Sequence, residues 1–246
     1  MHIVLFDIDG TLISSGGAGR LALSRAFEKA HNWENALDGA TINGMTDPVI
    51  IKDVFMKFRQ TPPTPSETAR IYGLYLQALE KTLEEADGFH VLPGVGRLLA
   101  RLSAREDTAT GLATGNIEKG ARMKLQHARL NRRFGFGGFG SDASDRGDIV
   151  RVAEKRAMEF LPDAAKPVTW LVGDTPNDVA GGKAANARTV AVATGGVTTE
   201  RLRETQPDVL LKDLSDCDGF LSMLDSAAHE NGSAPSREGR MPPSSA

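Results

Sequence analysis

In His2-Ile3-Val4-Leu5-Phe6-Asp7-Ile8-Asp9-Gly10-Thr11 a compact apolar run stops at two acids and a glycine. A short run of this kind, bounded by charge and glycine, is the pattern of a buried strand. Glycines follow between 14 and 19. Beyond them, three helical stripes recur at i, i+3, i+4, i+7: Leu23, Ala26, Phe27 and Ala30; Ile51, Val54, Phe55 and Phe58; Ile71, Leu74, Tyr75 and Ala78. Asp47-Pro48 offers the second helix an N-cap and a first-turn proline. Residues 61–65 break it from the third, which Ser66 is placed to cap. From about 15 to 88 the chain reads as all-helical.

From Val91 onward helix and strand alternate. Val95, Leu98, Leu99 and Leu102 form a helical stripe, and 108–114 reads as a strand. A helix follows over 117–130, then a short strand within 134–140. Ile149, Val152, Ala153, Ala157 and Phe160 mark a further helix. Residues 168–172, β-branched and bounded by Pro167 and Gly173, make the clearest strand, and 189–193 and 209–211 add two more. Such alternation implies an α/β fold: a doubly wound, Rossmann-like parallel sheet covered by helices on both faces. The helical block between the first strand and the rest is then an insertion. The expected domains are a core of 1–14 and 89–225, a helical cap of 15–88, and a disordered tail of 226–246, rich in Ser, Pro and Gly.

Composition narrows the function classes. Of 246 residues, 40% are hydrophobic and 25% charged, and 29 basic against 32 acidic residues leave a net charge of -3. No basic field exists to hold nucleic acid or an anionic membrane. One cysteine, Cys217, excludes an internal disulfide. No apolar run reaches the ~18 residues of a membrane span, and 1–6 lack the features of a signal peptide. A cytoplasmic protein is expected. Oligomeric state is left open.

Ligands of open parallel sheets bind at the carboxyl ends of the strands. The expected strand ends carry Asp7-Ile8-Asp9-Gly10-Thr11, Thr114-Gly115-Asn116, and Gly173-Asp174-Thr175-Pro176-Asn177-Asp178. Carboxylates gathered this closely repel one another unless a cation sits among them. Several hard oxygen donors suit Mg²⁺, which commonly pairs with a substrate phosphate.

These segments resemble signatures of the haloacid dehalogenase (HAD) superfamily. Phe6-Asp7-Ile8-Asp9-Gly10-Thr11-Leu12 is similar to the first, Thr114-Gly115-Asn116 to the second, and Gly173–Asp178 to the fourth. Gly44-Met45-Thr46-Asp47 and Leu92-Pro93-Gly94-Val95 resemble the phosphoglycolate phosphatase-like branch, whose members carry a helical cap. The resemblance implies that Asp7 attacks phosphorus to form an aspartyl-phosphate. It implies that Asp9 protonates the leaving oxygen and later deprotonates water. It assigns Mg²⁺ to Asp7, the Asp9 carbonyl and Asp174, with Asp178 as a further ligand or supporting partner. Thr114, Gly115 and Asn116 would bind the phosphoryl group.

The third signature is a basic residue, usually Lys, and here the chain departs from the pattern. Lys166-Pro167 starts a strand and so falls at the far edge of the sheet. Lys155 and Arg156 sit mid-helix. Arg146, just ahead of a helix beginning near Asp148, is the choice, with a solvated surface charge as its competing reading. Arginine could grip phosphate oxygens bidentately.

Thr46 and Asp47 also read as caps of a cap-domain helix, and Asn177 as a turn residue. The spacing of Gly135-Phe136-Gly137-Gly138-Phe139-Gly140 matches a dinucleotide fingerprint but does not open a helix after a buried strand. The five histidines show no metal-ligand spacing, and Cys217 reads as an inert thiol. The expected function is a Mg²⁺-dependent phosphatase of a small phosphorylated metabolite, with 2-phosphoglycolate as a candidate. The alternatives are a sugar phosphomutase of the same superfamily and, in another class, a non-enzymatic phospho-accepting receiver. The helical insert argues against the receiver.

Overall fold

In the computed structural model of the chain, residues 1–161 and 167–232 are described. In chain order the elements are β1 (His2–Phe6), β2 (Ile13–Ser15), α1 (Ala18–His31), α2 (Asp47–Arg59), α3 (Pro65–Glu85), β3 (Phe89–Val91), α4 (Val95–Ser103), β4 (Thr108–Thr114), α5 (Glu118–His127), β5 (Gly137–Phe139), α6 (Arg146–Ala157), β6 (Val168–Gly173), α7 (Pro176–Ala184), β7 (Arg188–Val192), α8 (Thr199–Glu204), β8 (Val209–Leu211) and α9 (Cys217–Gly232).

Six strands form one parallel sheet in the order β5-β4-β1-β6-β7-β8. β1 lies between β4 and β6, with His2 opposite Thr108 and Val168, and Phe6 opposite Leu112 and Val172. Every residue of β1 is buried, as a strand covered on both faces must be. Its side chains divide by alternation. Ile3 and Leu5 pack with Ile149, Val150 and Ala153 of α6. Val4 and Phe6 join Leu98 and Leu102 of α4, Leu125 of α5 and Leu224 of α9. The chain winds outward from β1 in both directions, so the crevice at the carboxyl ends of β4, β1 and β6 is the switch point where α/β sheets bind ligands.

Helices α1 to α3 bury their stripes against one another in a separate cluster that includes Phe27, Ile51, Phe55, Tyr75 and Leu79. Ile117, from the loop between β4 and α5, belongs to the same cluster and ties it to the sheet. Both ends of the insert pass through a two-stranded antiparallel ribbon, Ile13 opposite Val91 and Ser15 opposite Phe89. The all-helical stretch is therefore bracketed by strands that the periodicity does not reveal.

Several local expectations shift. Thr46, not Asp47, is the N-cap residue of α2. Thr64, not Ser66, caps α3, through a capping box in which it and Glu67 satisfy each other's backbone N–H. Phe58 and Phe160 fall off their stripes and are exposed, and α6 ends before Phe160. The segment 135–140 contains an edge strand and no dinucleotide turn. Cys217 is buried at the start of α9. Helix α9 continues past the expected boundary at 225, and Ala227 is buried in the main core. The start of the 226–246 segment is thus helix, while 233–246 lies outside the described residues, as does Lys166. Among the described residues no helix is long and apolar enough to cross a membrane.

Leu224 is fully buried and Ser226, two residues on and on the opposite side of the helix, is exposed. Leu224→Ala should destabilise the fold by about 2–5 kcal/mol through the cavity it leaves. Ser226→Ala should change stability by less than about 0.5 kcal/mol. Urea denaturation of the two variants checks that α9 is part of the core.

Candidate active site

The strand ends bring the acidic residues together. Asp7 follows β1, and its N–H donates to Val172 O of β6 at 2.9 Å. Asp174 follows β6, and Asp178 lies in the first turn of α7. Asp7, Asp174 and Asp178 each offer a carboxylate oxygen, these atoms lie within 4.8 Å of one another, and all three residues are buried. Asp174 accepts a hydrogen bond from Thr11 Oγ1 at 3.0 Å. Gly10, at φ +85°, and Gly195 give it room, because a Cβ at either position would collide with its carboxylate.

Arg146 is the cation of this cluster. Its Nη1 lies 3.4 Å from Asp7 Oδ1 and donates to Ala113 O at 3.2 Å, while Nη2 lies 3.1 Å from Asp178 Oδ1. Local sequence explains its position. Asp145 caps α6 by accepting from Gly147 N and Asp148 N, which makes Arg146 the first helical residue at the sheet edge. Gly181 of α7 clears the path of its side chain, since a Cβ there would collide with Arg146 Cγ. Arg146 is buried, which removes the reading of a solvated surface charge.

Burial pushes the Asp7 carboxyl up to about 7 against the opposing Arg146 guanidinium, with Asp178 and Asp9 adding repulsion. Asp174 rises well above the usual carboxylate range, again through burial and then through Asp178 and Asp7. Charged carboxylates crowded in this way call for more positive charge than one guanidinium provides. Clustered hard oxygen donors fit Mg²⁺. Asp178 differs from the other two: its Oδ2 accepts from Thr175 N (3.0 Å) and Oγ1 (2.6 Å), and its Oδ1 faces Arg146.

Asp9 belongs to a second network. Its Oδ2 accepts from Lys124 Nζ at 2.6 Å and from Asn116 Nδ2 at 2.9 Å. Lys124 also donates to Asn116 Oδ1 (2.7 Å), and Asn116 Nδ2 to Thr114 Oγ1 (2.9 Å). Burial alone would raise the Asp9 carboxyl, but the Lys124 ammonium overrides it and holds it below the usual range. The structure thus brings together Asp7, Asp9, Thr114, Gly115, Asn116, Arg146 and Asp174 around one cavity of about 440 Å³. Asp178 stands behind Arg146. The Asn116 side chain is occupied with Asp9 and Thr114.

Lys124 escapes the sequence motifs. It sits mid-helix in α5, and its signal is a lysine inside the stripe Ile117, Ala121, Lys124 and Ala128, beside the buried Leu125. Thr194 is also missed, and Thr11, part of the first signature, carries no role there. Thr194 Oγ1 donates to Gly10 O at 2.6 Å and pins the turn after β1. Insert residues Arg20, Leu23, Ile42, Asp47 and Tyr75 complete the cavity wall. Burial raises the Asp47 carboxyl to about 6, with Lys124 opposing and Asp9 contributing.

Comparison with known proteins adds three findings. The family profile described as haloacid dehalogenase-like hydrolase matches residues 4–192. A pyrophosphatase PpaX from Oceanobacillus iheyensis is 26% identical over 222 residues, covering 88% of this chain and 94% of that protein. Among solved structures, a hydrolase from Pseudomonas syringae superposes with a TM-score of 0.69 at 22% identity, covering 91% of this chain and 98% of that one. A predicted phosphoglycolate phosphatase from Haemophilus somnus 129PT gives 0.61 at 17% identity, with 90% and 96% covered.

The Lys124 and Asp9 pair can be tested by stability alone. Removing one partner of a fully buried pair costs about 3–5 kcal/mol. Asp9 keeps 34% of its side chain exposed, so Lys124→Met should cost less, about 2–3 kcal/mol. Combining it with Asp9→Asn should recover most of that loss. A double-mutant cycle in urea measures the coupling.

Proposed function

Because the chain belongs to the haloacid dehalogenase-like hydrolase family, we propose that it is a Mg²⁺-dependent phosphatase of small phosphorylated metabolites, working through an aspartyl-phosphate. The observation that carries this reading is the convergence of Asp7, Asp174 and Asp178 within 4.8 Å, with Asp9 held by its own cation across the same cavity.

In this reading Asp7 attacks phosphorus. Asp9 is charged at rest, so it first takes the proton that a phosphate monoester bound as its monoanion carries. The bond from phosphorus to the ester oxygen then breaks, and Asp9 delivers that proton to the departing oxygen. Water then attacks the aspartyl-phosphate, Asp9 accepts its proton, and inorganic phosphate leaves with Asp7 restored. Lys124 favours the charged form of Asp9, which is the form that accepts the proton in the second step. Thr114 Oγ1 and the Gly115 N–H would meet charge growing on the phosphoryl oxygens. Arg146 holds Asp7 and Asp178, so it aims the nucleophile and offsets negative charge. Mg²⁺, held by Asp7, the Asp9 carbonyl and Asp174, would neutralise phosphoryl charge, and Asp178 supports that site through Arg146.

Residues 15–88 act in this reading as a cap. A cavity of about 440 Å³ suits a ligand of metabolite size and excludes folded phosphoproteins. The panel to try includes 2-phosphoglycolate and, given the name of the Oceanobacillus relative, pyrophosphate.

Phosphate release across such a panel, with Mg²⁺ and with EDTA, is the direct test. Asp7→Asn should lower turnover by roughly a thousandfold or more, with the melting temperature retained. EDTA should abolish turnover and added Mg²⁺ restore it. A variant keeping a tenth of wild-type turnover, or isomerisation of a sugar phosphate without phosphate release, would overturn this assignment.

A further inference from the structure

Residues 44–47 of the insert touch three of the four loops that carry the proposed catalytic groups. Gly44 O accepts from Asn177 Nδ2 at 2.9 Å, between Asp174 and Asp178. Thr46 Oγ1 donates to Ser144 O at 3.2 Å, in the loop that leads to Arg146. Asp47 closes a reciprocal pair over the third loop. Its N–H donates to Gly115 O, and its Oδ2 accepts from Ile117 N–H, both at 2.8 Å. Asn116, the residue that holds Asp9 and Thr114, is enclosed between those two bonds.

This approach is close. A Cβ on Gly115 would collide with Met45 O and stand 3.0 Å from Thr46 Cα. Neither the Thr46 nor the Asp47 side chain bonds to its own helix in the way a capping side chain would. Thr46 makes no side-chain cap bond to α2. The Asp47 carboxylate instead meets the residue that precedes α5. Thr46 is the N-cap by position, with its carbonyl accepting from Ile50 N, but the side chains of both residues face outward from the insert, onto the sheet.

We propose that Asp47 is a positioning residue for phosphoryl transfer, fixing the 115–117 backbone from the insert and so coupling insert docking to assembly of the phosphoryl site. The proposal rests on the phosphatase reading above. The physical reason is preorganisation. The Gly115 N–H can meet the transition state, and the Asn116 side chain can hold Asp9 and Thr114, only if the 115–117 backbone is already aimed. With the insert undocked, Ile117 N–H loses its acceptor and Gly115 O its donor, and the loop between them is released. A misplacement of about 1 Å can cost about a hundredfold in rate. Catalytic power would then appear only when the cavity is covered, which limits exchange with bulk water at the aspartyl-phosphate.

Two variants separate this role from direct contact with substrate. Asp47→Asn keeps an oxygen that can accept from Ile117 N–H but removes the charge. Asp47→Ala removes the acceptor. Asp47→Ala should lower kcat by about 10- to 100-fold, by a similar factor for p-nitrophenyl phosphate and for larger phosphate esters. It should weaken inhibition by inorganic phosphate by about tenfold and speed hydrogen exchange of the peptide that contains Ile117. Asp47→Asn should return all three to within about threefold of wild type. Melting temperatures of the two variants report whether both are folded. The proposal is overturned if Asp47→Ala leaves phosphate inhibition and kcat unchanged, or leaves exchange at Ile117 unchanged. It is also overturned if Asp47→Asn is as damaging as Asp47→Ala, or if the loss depends on the leaving group, since either result makes Asp47 a substrate contact. A wild-type protein that releases no phosphate from any ester brings down the phosphatase reading instead, while exchange at Ile117 still judges the clasp.

Discussion

Repulsion among the carboxylates at the ends of β1 and β6 is the constraint that the rest of the site answers. Two like charges 4.8 Å apart repel by about 3.5 kcal/mol at an effective dielectric of about 20. That is several times the ~0–1 kcal/mol of an exposed ion pair, so surface charges cannot offset it. The chain answers with two buried cations from different helices. Arg146 takes Asp7 and Asp178, and Lys124 takes Asp9. The division keeps the two aspartates of the Asp7-Ile8-Asp9 segment in opposite electrostatic settings, one pushed up and one held down. A metal cation held beside Asp7 would favour its charged form, the form that attacks phosphorus. Family membership and the parallel sheet explain where the acids are. The cations explain how they coexist.

The parts of this arrangement differ in how openly the sequence displays them, and the reason is physical. Strands buried on both faces are commonly written as apolar runs, so β1 and β6 could be placed from Val4 and Trp170 and their neighbours, while β4 shows this pattern only weakly, around Leu112 and Ala113. Arg146 was reachable because a residue at a strand-to-helix junction has only one edge of the sheet to face. Lys124 was not, because a lysine in mid-helix ordinarily points to water, and its burial follows from the insert packing over α5. Gly120 and Gly19 mark that contact: a Cβ on Gly120 would stand 3.1 Å from the Tyr75 ring, and one on Gly19 3.0 Å from Lys124 Nζ. Such a contact between distant segments leaves no period in the sequence. The β2 and β3 ribbon was hidden because each strand is three residues long, too short for alternation to stand out. Its strands pair because the two connections of the insert run side by side. Helix α9 was cut short by a composition argument, in which Ser, Gly and Ala masked the buried series Phe220, Leu224 and Ala227.

The helical insert is commonly pictured as a cover, but its contacts give it a second character. Through Ile117 it shares a hydrophobic cluster with the core. Through residues 44–47 it hydrogen-bonds to the loops after β4, β5 and β6. Under the proposed role of Asp47, covering and organising the site are one event, since residues that line the cavity would also aim its polar groups.

The central place of β1 has a consequence for how the protein is made. β1 pairs on one side with β4, opposite Thr108, and on the other with β6, opposite Val168. A ribosome releases His2–Phe6 long before either partner exists. During that interval an apolar strand with two open edges waits without its sheet, the kind of segment that invites wrong pairing between nascent chains. The intervening residues 18–85 have their own apolar cluster and consist of local helices, which form faster than distant strand pairs. Early folding of the insert would bring the chain ends on either side of it together at the β2 and β3 ribbon, shortening the loop that β1 must close to reach β4.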